Sequence, residues 1–170
     1  MSPLVRLTVG IVAMVAVSIS CARPATTTRA SGPMTAAAPA EEVGQLEMNA
    51  SAGMRWSPFS MSGFAPGVQL AVIHGNPGGT SDYTIRLRFP DGYEVPPHWH
   101  PKSEHVTVLQ GHFSVGMGER VDASAMREFG PGDFLYAPPR MPHYARARGE
   151  TVVQLHGEGP FEIRLVGAAR

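Results

Sequence analysis

This sequence has little of what would place it in several large protein classes. It holds one cysteine, Cys21, among 170 residues, so no intramolecular disulfide can staple the fold. Charged residues make up only 16%, with 14 basic side chains balanced by 14 acidic ones. A chain without excess positive charge lacks the electrostatic footprint of a nucleic-acid binder. Helical periodicity is nearly absent, and only Ala123 to Phe129 reads as a turn of helix. No internal repeat appears, which argues against a solenoid or a duplicated barrel. The main apolar run, Leu7 to Ile19, has 13 residues, short of the roughly 20 that a membrane span needs.

That run has a second reading. Arg6 precedes it and small residues follow it, which is the layout of a secretory signal peptide over residues 1–20. Ser18-Ile19-Ser20-Cys21 resembles a lipobox, with Ser18 where Leu or Val is usual, and makes Cys21 the lipid anchor of a bacterial lipoprotein. Ordinary cleavage after Ala22 is the alternative, and a retained membrane anchor is a third reading. The first two imply an exported protein, either periplasmic, membrane-anchored through Cys21 alone, or secreted. Residues 21–45 are dominated by Ala, Pro, Thr, Ser and Gly; they hold too little to pack and read as a low-complexity tether. Residues 46–170 remain as a single folded domain, a length that suits one hydrophobic core.

What the sequence has in quantity is punctuation, with 19 Gly and 16 Pro. These separate short stretches with strand character: Val68 to Ile73, Tyr83 to Phe89, Ser103 to Leu109, Phe113 to Met117, Phe134 to Ala137, His143 to Ala147, Thr151 to His156 and Phe161 to Val166. In the second, Ile85, Leu87 and Phe89 share a face, with Thr84, Arg86 and Arg88 opposite. Many short strands with turn chemistry between them predict an all-β sandwich or barrel.

All seven histidines fall between His74 and His156, inside the β region. His98 and His100 occupy alternate positions of an extended segment, so both imidazoles point to one face. Pro96 and Pro97 keep the approach extended. Glu104 opens a strand whose same-face neighbours, Val106 and Val108, are apolar. An acid on such a face needs a partner, and a metal ion would supply it. His143 shares its parity with Ala145 and Ala147, while Tyr144, Arg146 and Arg148 take the other face.

The spacing Gly92, five residues, His98-x-His100, three residues, Glu104, six residues, Gly111 resembles the first conserved motif of the cupin superfamily at every fixed position. The second motif appears as Gly132, five residues, Pro138, then His143 four residues beyond Pro139. Arg140 stands where that motif usually has glycine, and Ala147 where asparagine is common. The resemblance implies a cupin jelly-roll (double-stranded β-helix) barrel of six to eight strands. It further implies one divalent transition metal held by His98, His100, Glu104 and His143. Three imidazoles and a carboxylate suit Fe, Mn, Ni, Cu or Zn alike.

The remaining histidines read differently. His105 faces away from Glu104, His112 follows the Gly111 turn, and His74 sits beside a glycine-rich turn. Gln154 and His156 share a face with Val152 and are candidate catalytic or substrate-contacting groups if that face lines the barrel; the opposite reading, that it meets solvent, has equal standing. Tyr136 and Arg86 are weaker candidates of the same kind, and Trp99 reads as a packing anchor. Two functions follow. One is a metalloenzyme of dioxygenase, lyase or isomerase type acting on a small organic molecule outside the cytoplasm, with the metal as Lewis acid. The other is a non-catalytic metal- or ligand-binding cupin, such as a sensor or a structural homodimer module. Polar groups converging on the metal would favour the first; an apolar interior would favour the second.

Overall fold

The computed structural model describes residues 45–167, and residues Gly44–Arg170 form one compact unit. The signal peptide, tether and Cys21 expectations lie outside the described residues. Among these there is no α-helix, and no helix is long and apolar enough to cross a membrane. The described residues form nine antiparallel strands: β1 (Ser57–Pro58), β2 (Gln69–Gly75), β3 (Asp82–Phe89), β4 (Glu94–Trp99), β5 (Glu104–Met117), β6 (Arg127–Phe129), β7 (Phe134–Ala137), β8 (His143–Glu158) and β9 (Arg164–Leu165). They make the curled sheet of a jelly-roll barrel.

The spine of this barrel is β8. Along one edge its N-terminal half pairs with β4 and its C-terminal half with β3; along the other edge it pairs with β5 over both halves. β3 and β4 therefore lie end to end against the same strand, separated at Pro90-Asp91-Gly92. β2 and then β1 extend the sheet beyond β3, and β6 and β7 both pair with β5. Alternation does what the sequence predicts on β3, where Tyr83, Ile85, Leu87 and Phe89 are buried and the residues between them are half-buried. These side chains meet Val106, Val108, Val153 and Leu155 in the core. Each buried aliphatic or aromatic side chain contributes roughly 1.5–3 kcal/mol.

Three expectations need correction. The segments before and after Gly111 are one bent strand, as are those before and after Gly149. Gly111 has φ 71°, and a Cβ there would lie 2.5 Å from the Glu150 carbonyl oxygen. The glycine acts as a bulge that bends the ladder, not as a turn that ends it. Ala123 to Phe129 is not helical: Asp122 caps a single 3-10 turn at Ala123–Ala125, and Arg127–Phe129 then pairs with Phe113–Val115. Of Phe161 to Val166 only Arg164–Leu165 is strand, paired with β4. Tyr144 keeps the outer parity expected of it but is only 1% exposed. Its ring lies over Gly116 and its hydroxyl donates to the Asp122 carbonyl at 3.0 Å.

Candidate metal centre

Strand pairing brings the predicted residues to one place. His98 on β4 and His143 on β8 are directly opposite one another, and their ring centroids are 4.3 Å apart. His100, just past the end of β4, lies 5.0 Å from the His98 ring and 5.3 Å from that of His143. Glu104, the first residue of β5, brings its carboxylate to 3.5 Å from His100 Nε2 and 3.7 Å from His143 Nε2. All four are buried. One ring nitrogen from each histidine falls within 4.8 Å of the others.

The backbone decides what those nitrogens can do. The carbonyls of Pro96, Glu162 and Met141 lie 2.7, 2.8 and 2.9 Å from Nδ1 of His98, His100 and His143 respectively. A carbonyl only accepts, so each Nδ1 carries the proton and donates it. That tautomer leaves every Nε2 a bare lone pair. His100 Nε2 is buried with no hydrogen-bond partner. An unpartnered acceptor beside a buried carboxylate costs free energy unless a cation completes it. Outer hydrogen bonds to carbonyls are how metal-binding imidazoles are held and oriented. The three imidazoles could hold a metal ion, and the Glu104 carboxylate lies against two of them, His100 and His143.

Protonation follows the same logic. Burial, reinforced by the nearby His143 and His100 rings, pushes His98 down to about 3 against the Pro96 carbonyl's opposing pull. Burial likewise lowers His100 and His143. Burial raises Glu104 to about 7, with His143 pulling the other way. The imidazoles are thus held neutral, the form that binds metal, and the carboxylate is short of a positive partner.

The surrounding wall is apolar. Phe64 meets the His98 ring edge-on at 6.0 Å, and Phe161 stacks on His100 at 5.7 Å. These and Phe59 sit in segments without strand alternation, so periodicity could not flag them; their only signal is aromatic residues in otherwise polar loops. Tyr83 also escaped notice as a site residue. It is buried on β3, lines a small cleft with His100 and Glu104, and burial and the Glu104 charge raise its hydroxyl above the usual phenol range. The space around the quartet is about 60 Å³, room for a few water-sized groups.

Gln154, His156 and Tyr136 do not enter this space. Gln154 accepts from Arg86 Nε at 3.0 Å, His156 Nδ1 lies 3.1 Å from the Thr84 hydroxyl, and Tyr136 stands edge-on to His105. All lie on the outer face, because the residues turned inward on that part of β8 are Val153 and Leu155. His105 shares that outer face, His112 lies 3.3 Å from Glu128, and His74 contacts Glu47 at 2.5 Å.

A jelly-roll barrel with a histidine-carboxylate cluster at its core defines a class, and comparison with known proteins agrees. The family model described as "Cupin domain" matches residues 85–156. The polyketide cyclase RemF of Streptomyces resistomycificus superposes with TM-score 0.60 at 16% identity, over 74% of this chain and 89% of its own. DMSP lyase DddQ of Ruegeria pomeroyi gives 0.53 at 22%, over 67% and 61%. An RmlC-like cupin of Shewanella frigidimarina gives 0.52 at 18%, over 67% and 91%. No curated protein matches in sequence. Residues 85–156 thus belong to the cupin superfamily.

Proposed function

We propose that this protein is a metal-dependent enzyme acting on a small organic molecule outside the cytoplasm. One observation carries the reading: a ring nitrogen from each of three buried histidines lies within 4.8 Å of the others, with His100 Nε2 lacking any hydrogen-bond partner and the Glu104 carboxylate beside two of them. His98, His100, His143 and Glu104 would hold one divalent transition metal, which supplies Lewis-acid chemistry when bound. The carbonyls of Pro96, Glu162 and Met141 fix the imidazoles, and Phe59, Phe64 and Phe161 give them an apolar surround. Tyr83 keeps its proton through the neutral range and lines the cleft beside Glu104 and His100, where its hydroxyl would serve as a hydrogen-bonding group. Structural relatives named as a cyclase and a lyase support an enzymatic role.

The interior also supports a second reading, a non-catalytic metal- or ligand-binding module, because Gln154, His156 and Tyr136 face outward and the cavity wall beyond the quartet is apolar. Metal analysis of the purified protein decides the foundation common to both. Close to one transition-metal ion per chain is expected, and a folded protein that takes up none would sink the site. Export through a lipid anchor is part of the first reading; Cys21→Ser should move the protein out of the membrane fraction, and unchanged fractionation removes the anchor.

A further inference from the structure

The space at the metal centre, about 60 Å³, is too small for an organic substrate, since ligand sites run to roughly 300–1,000 Å³. A groove of about 1010 Å³ lies against the same wall, and Ile163 lines both spaces. Trp99 and Leu165 give the groove an apolar lining, and Arg140 is its exposed cation.

Arg140 is there at a conformational cost. Pro138 to Met141 form a turn closed by the Met141 N–H on the Pro138 carbonyl at 3.2 Å. Arg140, third in that turn, has φ 62° and is the one non-glycine residue with positive φ among the described residues. A proline second and a left-handed residue third make a type II turn, whose third position favours glycine. This is also where the sequence departs from the family's glycine. The turn is pinned to the metal site, because the Arg140 N–H donates to the His100 carbonyl at 2.8 Å. A strained residue held over by its surroundings at a site is a reason to look for its use. Arg164, the other cation of the groove, is engaged by Glu162 at 2.6 Å. Among the described residues Arg140 has no ion pair, and neither has Glu119, the acid that also lines the groove.

We propose that Arg140 docks a carboxylate: the groove takes a small organic acid with an apolar body, its carboxylate on the Arg140 guanidinium and its body along Trp99 and Leu165 toward Ile163. This rests on the small-molecule reading above and names its substrate class. The test is calorimetric titration of the full-length protein, metal-loaded and metal-stripped, with benzoate and its neutral counterpart benzamide as probes. Benzoate should bind more tightly than benzamide in both forms. Arg140→Gln should weaken benzoate about tenfold or more, as expected for a charge-assisted contact, and leave benzamide unchanged. Arg140→Gly should do the same while keeping an unchanged or raised melting temperature, since the turn regains its preferred residue. Both variants should keep the parent's metal content. Equal affinities for the two probes, no binding of either at millimolar concentration, or unchanged benzoate affinity in Arg140→Gln would overturn the proposal. So would a benzoate preference present only with metal bound, which would place the carboxylate on the metal. A parent protein that binds no metal defeats the enzyme reading separately, and the stripped-protein titration still tests Arg140.

Discussion

Histidines stand on both faces of this sheet, and their surroundings differ in kind. On the inner face, His98, His100 and His143 are buried and donate from Nδ1 to backbone carbonyls, and His100 and His143 turn Nε2 toward Glu104. On the outer face, His105 packs beside Phe134 and Tyr136, and His156 meets a threonine hydroxyl. His105 is separated from Glu104 by a single peptide bond, yet the pleat sends the two side chains to opposite sides. What suits the inner imidazoles to a metal is an orientation fixed by backbone carbonyls and, at His100, an Nε2 without a hydrogen-bond partner.

The strongest way to break this contrast is to swap faces. His98→Ala combined with Glu104→Ala should abolish metal binding, while His105→Ala keeps a full equivalent; metal analysis of the two proteins reads the difference. Equal losses would mean that strand parity does not separate the faces.

Acid sharpens it next. In the chelator-treated protein, the inner histidines are depressed below their usual 6.5. The unfolded chain therefore binds protons first, and stability is lost as pH falls below about 6.5 toward 3. Glu104 is raised from 4.5 to about 7, so it opposes this, favouring the folded state as pH falls from 7 to 4.5. Three groups outweigh one. Denaturant titrations should show a net loss of stability as pH falls below about 6.5. His105→Ala should leave the profile unchanged, and a flat profile in the parent would show that the inner imidazoles are not held neutral.

A smaller effect is steric. A Cβ on Gly116 would lie 2.3 Å from the buried Tyr144 ring, so Gly116→Ala should cost roughly 1–3 kcal/mol in thermal unfolding. Wild-type stability in that variant would mean the ring is free to move. Least of all, Gln154→Ala and His156→Ala should stay within about 0.5 kcal/mol of the parent, with metal content intact by the same metal analysis.

Much of this was legible in the chain. Alternation at Ile85, Leu87 and Phe89 assigns the inner face of β3, and the spacing of His98, His100 and Glu104 brings three donors together because strand parity is a local property. The faces of Gln154 and His156 were lost for a specific reason. Taking His143 to Ala147 and Thr151 to His156 as separate strands cut β8 in two and severed the parity that runs from His143 through Ala145 to Val153 and Leu155. A glycine that bends a strand and one that ends it look alike in sequence, since both supply φ above zero. Phe59, Phe64 and Phe161 were illegible for another reason: they reach the cavity from irregular segments, where position depends on distant contacts. Arg140 was visible as a departure from a motif, but its turn type and its groove were not.

The place of His143 on β8, opposite His98 on β4, also bears on the order of events as the chain folds. His98, His100 and Glu104 are local in sequence, but His143 is far from them, so a long loop must close before it joins the other three. An ion held by all three imidazoles would therefore reach its full set of ligands only once the barrel has formed. Metal should then act as a late lock, raising the barrier to unfolding and shifting the melting point with free metal concentration by mass action.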